Sequence, residues 1–279
     1  MKALPFKIPK PKNLGLIYQE DKGVFYDKFH QHEEIQISYI VNGKGTLVVG
    51  DTIHQYYTND VFIIGSNLPH LFKSDLETSE NSFMISLFFT EQSFGQDFFA
   101  LDDFKSLENV LKKTVNGFKI GTPNTVISQY FHALKNSSDL ERFIIFLKLL
   151  QKFNSVNTES LSKFIYPKKY TENHGRRMQI IMNYTMNNFN SEIDLNSIAE
   201  KANMTKNAFC NYFKKRTNKT YFTFLNELRV ENACKLLLEN KETAINEIAY
   251  QSGYSSLSNF NRKFLAVKKM TPSQYRKNH

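Results

Sequence analysis

Residues 245–277 read INEIAYQSGYSSLSNFNRKFLAVKKMTPSQYRK. Ile245, Ile248 and Ala249 keep helical spacing, Gly253-Tyr254-Ser255 interrupts it, and Leu257, Phe260 and Phe264 resume it. The same pattern stands upstream in LNSIAEKANMTKNAFCNYFKKRTNKTYFTFLNELRVENACKLL (195–237): Leu195, Ile198, Ala199 and Ala202, a break at Asn203-Met204-Thr205, then Phe209, Tyr212 and Phe213. The copies are offset by 50 residues before the break and 51 after it, which makes them an internal duplication.

Each break has a chemical logic. A helix turning sharply into another needs one residue at positive φ, which Gly supplies freely and Asn tolerates, and Asn203 and Gly253 occupy matching places. Thr205, and Ser255 or Ser256, then accept from the exposed N–H groups of the next helix. Helix, tight turn and capped helix make a helix-turn-helix, whose second helix lies in a major groove of double-stranded DNA. The apolar set of the first copy leaves Lys206, Asn207, Cys210 and Asn211 on the open side; the second leaves Ser258, Asn261, Arg262 and Lys263. Asn pairs bidentately with adenine and Arg with guanine, so these residue types suit base reading, whereas Lys214, Lys215, Arg216, Lys268 and Lys269 suit phosphate. Between the copies, Leu225, Leu228, Ala233, Leu236 and Leu237 mark one long helix of roughly 25 Å, close to one DNA turn.

Charge agrees with this division. Residues 174–279 hold 17 Lys and Arg against 8 Asp and Glu, while residues 1–173 hold 19 of each, so the whole formal excess of +9 sits in the last third. A neutral front joined to a basic back is expected when one domain meets a polyanion. A hydrophobic content of 41% in 279 residues is enough for packed cores. The opening MKALPFKIPKPKN lacks the apolar run of a signal peptide or membrane span, its basic PKPK reads as a solvated arm, and FIIFLKLL (143–150) is broken by Lys148. Cys210 and Cys234 make no disulfide framework, which points to the cytoplasm; Cys210 reads as a small packed thiol rather than an oxidation sensor.

The two stretches quoted above closely resemble the tandem helix-turn-helix domain of AraC/XylS transcription regulators. The resemblance implies a bacterial C-terminal domain that recognises a promoter and contacts RNA polymerase, with MTPSQYR (270–276) starting a closing helix. Asn218 replaces the Gly usual after the family's first F-K-K-x-T, and it too tolerates positive φ.

The front is an alternating stretch, FHQHEEIQISYIVNGKGTLVVGDTIHQYYTNDVFIIGSNLPHLF (29–72), with FMISLFF (83–89) after it. Short strands between Asn-Gly and Gly-Asp turns predict a small antiparallel barrel. The His-x-His pair with NDVFIIGSNLPH resembles the cupin-type sensor domain of these regulators. His30 and His32 project from one face, and folding could bring His70 beside them. Metal-binding cupins supply an acid four residues after the second His; Gln36 stands there, and a neutral amide replaces a carboxylate poorly. The expectation is therefore no metal and no cofactor. Two readings of His30, His32, Gln36 and His70 remain open: hydrogen bonding to a polar effector, such as a carbohydrate, or structural pairing.

Helices are expected near 104–115, 123–136 and 139–153. In the last, Leu140, Phe143, Ile144, Leu147 and Leu150 make a stripe, widened by Ile145, Phe146 and Leu149, that is buried either from two sides, against the barrel and against a second subunit in a homodimer, or entirely within the chain. The expected fold is α+β. Residues 1–154 form a cupin-like sensor and dimerisation domain (barrel about 15–90, helices about 91–154), 155–173 a polar linker, and 174–279 an all-α domain of two helix-turn-helix units joined by a long helix. The function expected is a promoter-binding regulator that senses a small molecule and is not an enzyme. The alternative is a metal-dependent cupin enzyme with an appended basic domain; Gln36 and the lack of a phosphate-cradling loop, nucleophile elbow or paired catalytic acids disfavour it.

Overall fold

A computed structural model describes residues 15–75, 79–121, 125–164 and 172–278. The basic opening arm and residues 165–171 of the expected linker lie outside the described residues. The chain divides into two compact units, Met1–Glu172 and Asn173–His279.

The first unit runs β1 (Ile17–Lys22), β2 (Ile35–Asn42), β3 (Gly45–Val49), β4 (Thr52–Tyr56), β5 (Val61–Ile64), β6 (His70–Ser74) and β7 (Phe83–Phe89). Short 3-10 turns then lead into α1 (Glu108–Thr114), β8 (Phe118–Ile120), α2 (Thr125–Leu134), α3 (Asp139–Asn154) and β9 (Thr158–Ser160). One antiparallel sheet has the order β1-β7-β2-β5-β8-β9, the other β4-β3-β6. The period of two sorts the side chains of the larger sheet. Ile35, Ile37 and Tyr39 of β2, with Val61, Ile63, Ile85 and Leu87, pack outward on α1, α2 and α3. Ile40, Phe62, Ile64 and Met84 pack inward on Leu47, Val49, Tyr56 and Phe72 of the smaller sheet. A sheet covered on both faces explains why β5 is an unbroken apolar run, VFII, with every residue buried. By the same alternation Gln36, Ser38 and Ser86 face inward and are buried.

Two differences from the sequence reading have physical causes. Thr158–Ser160 pairs with β8 as an edge strand, and Leu161 and Ser162 are buried, so the start of the expected linker belongs to the first unit. Strands of three residues carry no readable period. In α3, begun by a Ser138/Glu141 capping box, Phe146, Leu149, Leu150 and Phe153 are buried, whereas Leu140 and Ile144 are exposed. The apolar stripe is broader than the face the sheet can cover, and the sheet takes the side centred on Phe146.

The second unit is helical: α4 (Glu172–Asn188), α5 (Leu195–Lys201), α6 (Lys206–Thr217), α7 (Tyr221–Glu239), α8 (Ile245–Gln251), α9 (Leu257–Lys268) and α10 (Pro272–Asn278). Asn203 and Gly253 have φ of 52° and 85°, which supplies the sharp turn in each copy. Thr205 caps α6 by accepting from Ala208 N, and Ser256 rather than Ser255 caps α9 by accepting from Asn259 N. Both second helices have twelve residues and end in a left-handed residue, Asn218 and Lys269. Phe209 and Phe213 in one copy, and Phe260 and Phe264 in the other, are completely buried, while Tyr212 is half-buried and Leu257 is exposed rather than core. α7 spans nineteen residues, about 28 Å of helix.

Candidate functional site

In the second unit the side chains on the open faces follow from the anchors. With Phe209 and Phe213 turned inward, Lys206, Asn207 and Asn211 are exposed and Cys210 is half-buried. With Phe260 and Phe264 inward, Ser258, Asn261 and Arg262 are exposed and Lys263 is half-buried. Arg262 Nη2 donates to Asn259 Oδ1 at 3.0 Å, which orients the guanidinium along the helix. Applying the offset of 51 to the two helices, Asn207 matches Ser258, Cys210 matches Asn261 and Asn211 matches Arg262. The backbones of the two helices are duplicates; their exposed faces are not.

The cations are not equivalent. Lys214, Lys215 and Lys269 are exposed, as phosphate contacts should be. Lys268 instead donates to Glu231 at 2.6 Å and lies over the Tyr275 ring, which makes it part of the helix packing. Arg229, which the sequence did not single out, donates from Nε to Phe189 O and from Nη2 to Ser191 O, each at 2.7 Å, with Tyr254 beneath it. It ties the end of α4 to the turn of the second copy. Its partners lie about forty residues upstream, out of reach of any local pattern. Both cysteines are free thiols; burial pushes the Cys234 thiol up to about 12.

In the first unit the structure brings His30, His32, Gln36 and His70 together. One ring nitrogen from each histidine lies within 4.8 Å of the others. His30 and His70 face each other across a backbone bridge, His30 N to His70 O at 3.0 Å and His70 N to His30 O at 2.8 Å. Each Nδ1 lies against a backbone carbonyl: His30 on Lys28 O at 2.7 Å, His32 on Glu34 O at 2.9 Å and His70 on Leu68 O at 2.8 Å. The Nε2 atoms of His32 and His70 lie 3.2 and 3.1 Å from Gln36 Oε1, and the Gln36 amide donates to Ser38 Oγ, itself 2.8 Å from Ser86 Oγ. Burial, and then the neighbouring imidazoles, push His30 down to about 3 and hold His70 well below the usual imidazole value, so both stay neutral. Glu34, also missed by the sequence reading, is buried with its carboxylate 3.7 Å from His32 Nδ1. The spacing His-x-His-x-Glu was its only local signal.

A family model described as a helix-turn-helix domain matches residues 198–278, and one described as an AraC-like ligand binding domain matches residues 13–88. The chain is 22% identical to an uncharacterized HTH-type transcriptional regulator, YdeC, of Bacillus subtilis, over 90% of this chain and 87% of that protein. It is 23% identical to the HTH-type transcriptional activator RhaS of Mannheimia succiniciproducens, over 88% of each. It is 31% identical to the transposon Tn10 TetD protein of Escherichia coli, over 38% of this chain and 75% of that protein.

Proposed function

The chain belongs to the AraC family of ligand-sensing, DNA-binding transcription regulators, and on that premise we propose that α6 and α9 enter successive major grooves of a promoter and read different bases there. The observation that carries this reading is the pair of equal, equally capped helices whose open-face residues differ: Lys206, Asn207, Cys210 and Asn211 against Ser258, Asn261, Arg262 and Lys263. Two identical readers would favour a repeated half-site; two different ones favour an operator whose halves differ. Asn207, Asn211 and Asn261 suit adenine and Arg262 suits guanine.

The first unit takes a small polar effector at His30, His32, Gln36 and His70, and the effector alters operator affinity through its differential affinity for two states of the chain. A carbohydrate is one such effector. The chain acts as a homodimer, in which the exposed Leu140 and Ile144 of α3 form part of the contact. It works in the cytoplasm with RNA polymerase as a further partner, and it catalyses no reaction; its relatives being regulators supports that last point. No helix among the described residues is long and apolar enough to cross a membrane.

Selection of bound fragments from random duplex, followed by equilibrium binding, tests the reading. Arg262→Ala is expected to lose about 1–3 kcal/mol on the selected sequence and to relax discrimination at one base pair. An equal loss on random duplex would make Arg262 a backbone contact and remove α9 as a reader.

A further inference from the structure

We infer that Arg229 is a positioning residue for the two readers: it locks the helix-turn-helix copies in one relative orientation, so that the chain accepts operator halves at a single spacing. This rests on the reading of α6 and α9 as base readers, to which it adds the geometry between them.

A helix that joins two bodies sets how far apart they stand, not how they are turned about it. α7 is such a connector. Its start belongs to the first copy, where the Tyr221 hydroxyl lies 2.9 Å from Thr185 Oγ1 of α4 and the Tyr221 ring packs on Phe209 and Phe213. Further along, Val230, Ala233, Cys234 and Leu237 share a core with Ile248, Ala249, Tyr254, Phe260 and Phe264 of the second copy. Rotation of one copy against the other is then fixed where their own surfaces meet.

They meet at Arg229. Its guanidinium donates from Nε to Phe189 O and from Nη2 to Ser191 O, and both carbonyls stand just past the end of α4, in the segment that leads into α5 of the first copy. A helix C-terminus favours a cation, and two donors of one planar fork hold the segment in orientation as well as in position. The same guanidinium lies 5.7 Å from the centre of the Tyr254 ring in the second copy. Tyr254 is buried, and its hydroxyl donates back to Asn226 O of α7 at 3.3 Å. Asn232, beyond Arg229 on α7, donates from Nδ2 to Ser252 Oγ at 3.3 Å, so the turn of the second copy is held on both sides of the arginine.

Gly253 closes the junction. Without a Cβ its backbone comes against that of the first copy: a Cβ there would stand 2.7 Å from Phe189 O, 2.8 Å from Asn190 Cα and 2.9 Å from Arg229 Nε. Two backbones in contact, pinned by charge-assisted hydrogen bonds, leave no soft side chain through which the copies could slip.

DNA turns a small displacement of the readers into a large loss. One base pair added between the operator halves moves the second half by about 3.4 Å along the axis and about 35° around it. Locked copies lose the contacts of one reader at that spacing, roughly 100-fold in affinity if two base pairs are misread. Copies free to rotate follow the displaced half and lose far less.

The full chain and Arg229→Lys, which keeps the charge and loses the fork, are bound to the selected operator and to the same operator with one base pair inserted between its halves. The readout is the ratio of the two dissociation constants, in which a general loss of stability or affinity cancels. The wild type is expected to favour the selected spacing by about 100-fold and the variant by about 10-fold or less. Equal ratios overturn the proposal, and so does a wild type indifferent to the insertion. In the absence of DNA, spin labels on Cys210 of α6 and on Asn261→Cys at the matching position of α9 report the distance between the readers, the buried Cys234 staying unlabelled. One narrow distance is expected in the wild type and a broader distribution in Arg229→Lys; equal widths overturn the lock. If Arg229→Lys lacks a wild-type far-UV spectrum, Arg229→Gln replaces it in both measurements with the same expectation. A chain that shows these distances but selects no sequence fails as a reader, while the lock between its copies stands.

Discussion

Gly253 shows how much a single position carries. Its φ of 85° is open to glycine and strained for any branched residue. A Cβ there would stand 2.7 Å from Phe189 O, 2.8 Å from Asn190 Cα and 2.9 Å from Arg229 Nε, two of them backbone atoms that cannot yield cheaply. Gly253→Val is expected to cost about 3 kcal/mol or more, read as a lowered thermal midpoint of the second unit. An unchanged midpoint would rule out the turn geometry. Asn203, at φ 52° and exposed, has no such crowding, and Asn203→Gly should be nearly neutral. The turn was legible in the sequence because Asn and Gly are the residues that tolerate this conformation. Arg229, which fills the space beside Gly253, was not, because its hydrogen bonds reach back to Phe189 and Ser191. Arg229→Lys keeps the charge but offers one compact donor in place of a fork, and should cost about 1–2 kcal/mol in denaturant unfolding.

At the scale of elements, the duplication separates what holds a helix from what it reads. α6 and α9 share their length, their hydroxyl caps, their buried pair of phenylalanines and their left-handed ends, so exposed side chains can be exchanged between them without touching the packing. The triple change Asn207→Ser, Cys210→Asn and Asn211→Arg gives α6 the residues of α9 at three matching open-face positions. Selection from random duplex is expected to return an operator whose halves have become alike. If the selected sequence keeps its original, dissimilar halves, the exposed face of α6 does not read bases. These helices were readable because a period of 3.6 with large anchors survives in one sequence. β8 and β9 were not, at three residues each, and neither was the order of the larger sheet, in which β7 lies between β1 and β2 by pairings, such as Ile17 with Phe88, between residues far apart in sequence. The histidine cluster stands between these cases. His30 and His32 announced themselves by spacing, but their nearness to His70 depends on a strand bridge that no local pattern contains.

For the whole molecule the decisive quantity is charge, and it was fully legible: the excess of +9 falls in residues 174–279 and the remainder balances. The structure reduces the number of cations available to DNA. Lys219 is engaged with Glu227 at 2.7 Å and Lys268 with Glu231 at 2.6 Å, while Arg229 is spent on backbone carbonyls. Besides the reader candidates Lys206, Arg262 and Lys263, the exposed Lys201, Lys214, Lys215, Lys241, Lys269 and Lys277 remain, with half-buried Arg216. Each phosphate neutralised releases condensed counterions, and the logarithm of the binding constant then falls with that of salt by about 0.9 per contact. Six or seven contacts predict a loss on the order of a thousandfold between about 50 and about 200 mM salt, on any duplex. Lys214→Ala should reduce the slope by about one and weaken selected and random duplex equally. Lys268→Ala should leave the slope unchanged and instead lower stability, because its partner is Glu231 and not a phosphate. A binding curve flat across that range of salt would mean that the basic third does not meet nucleic acid, and the readers on α6 and α9 would lose the contact that sets them in the groove.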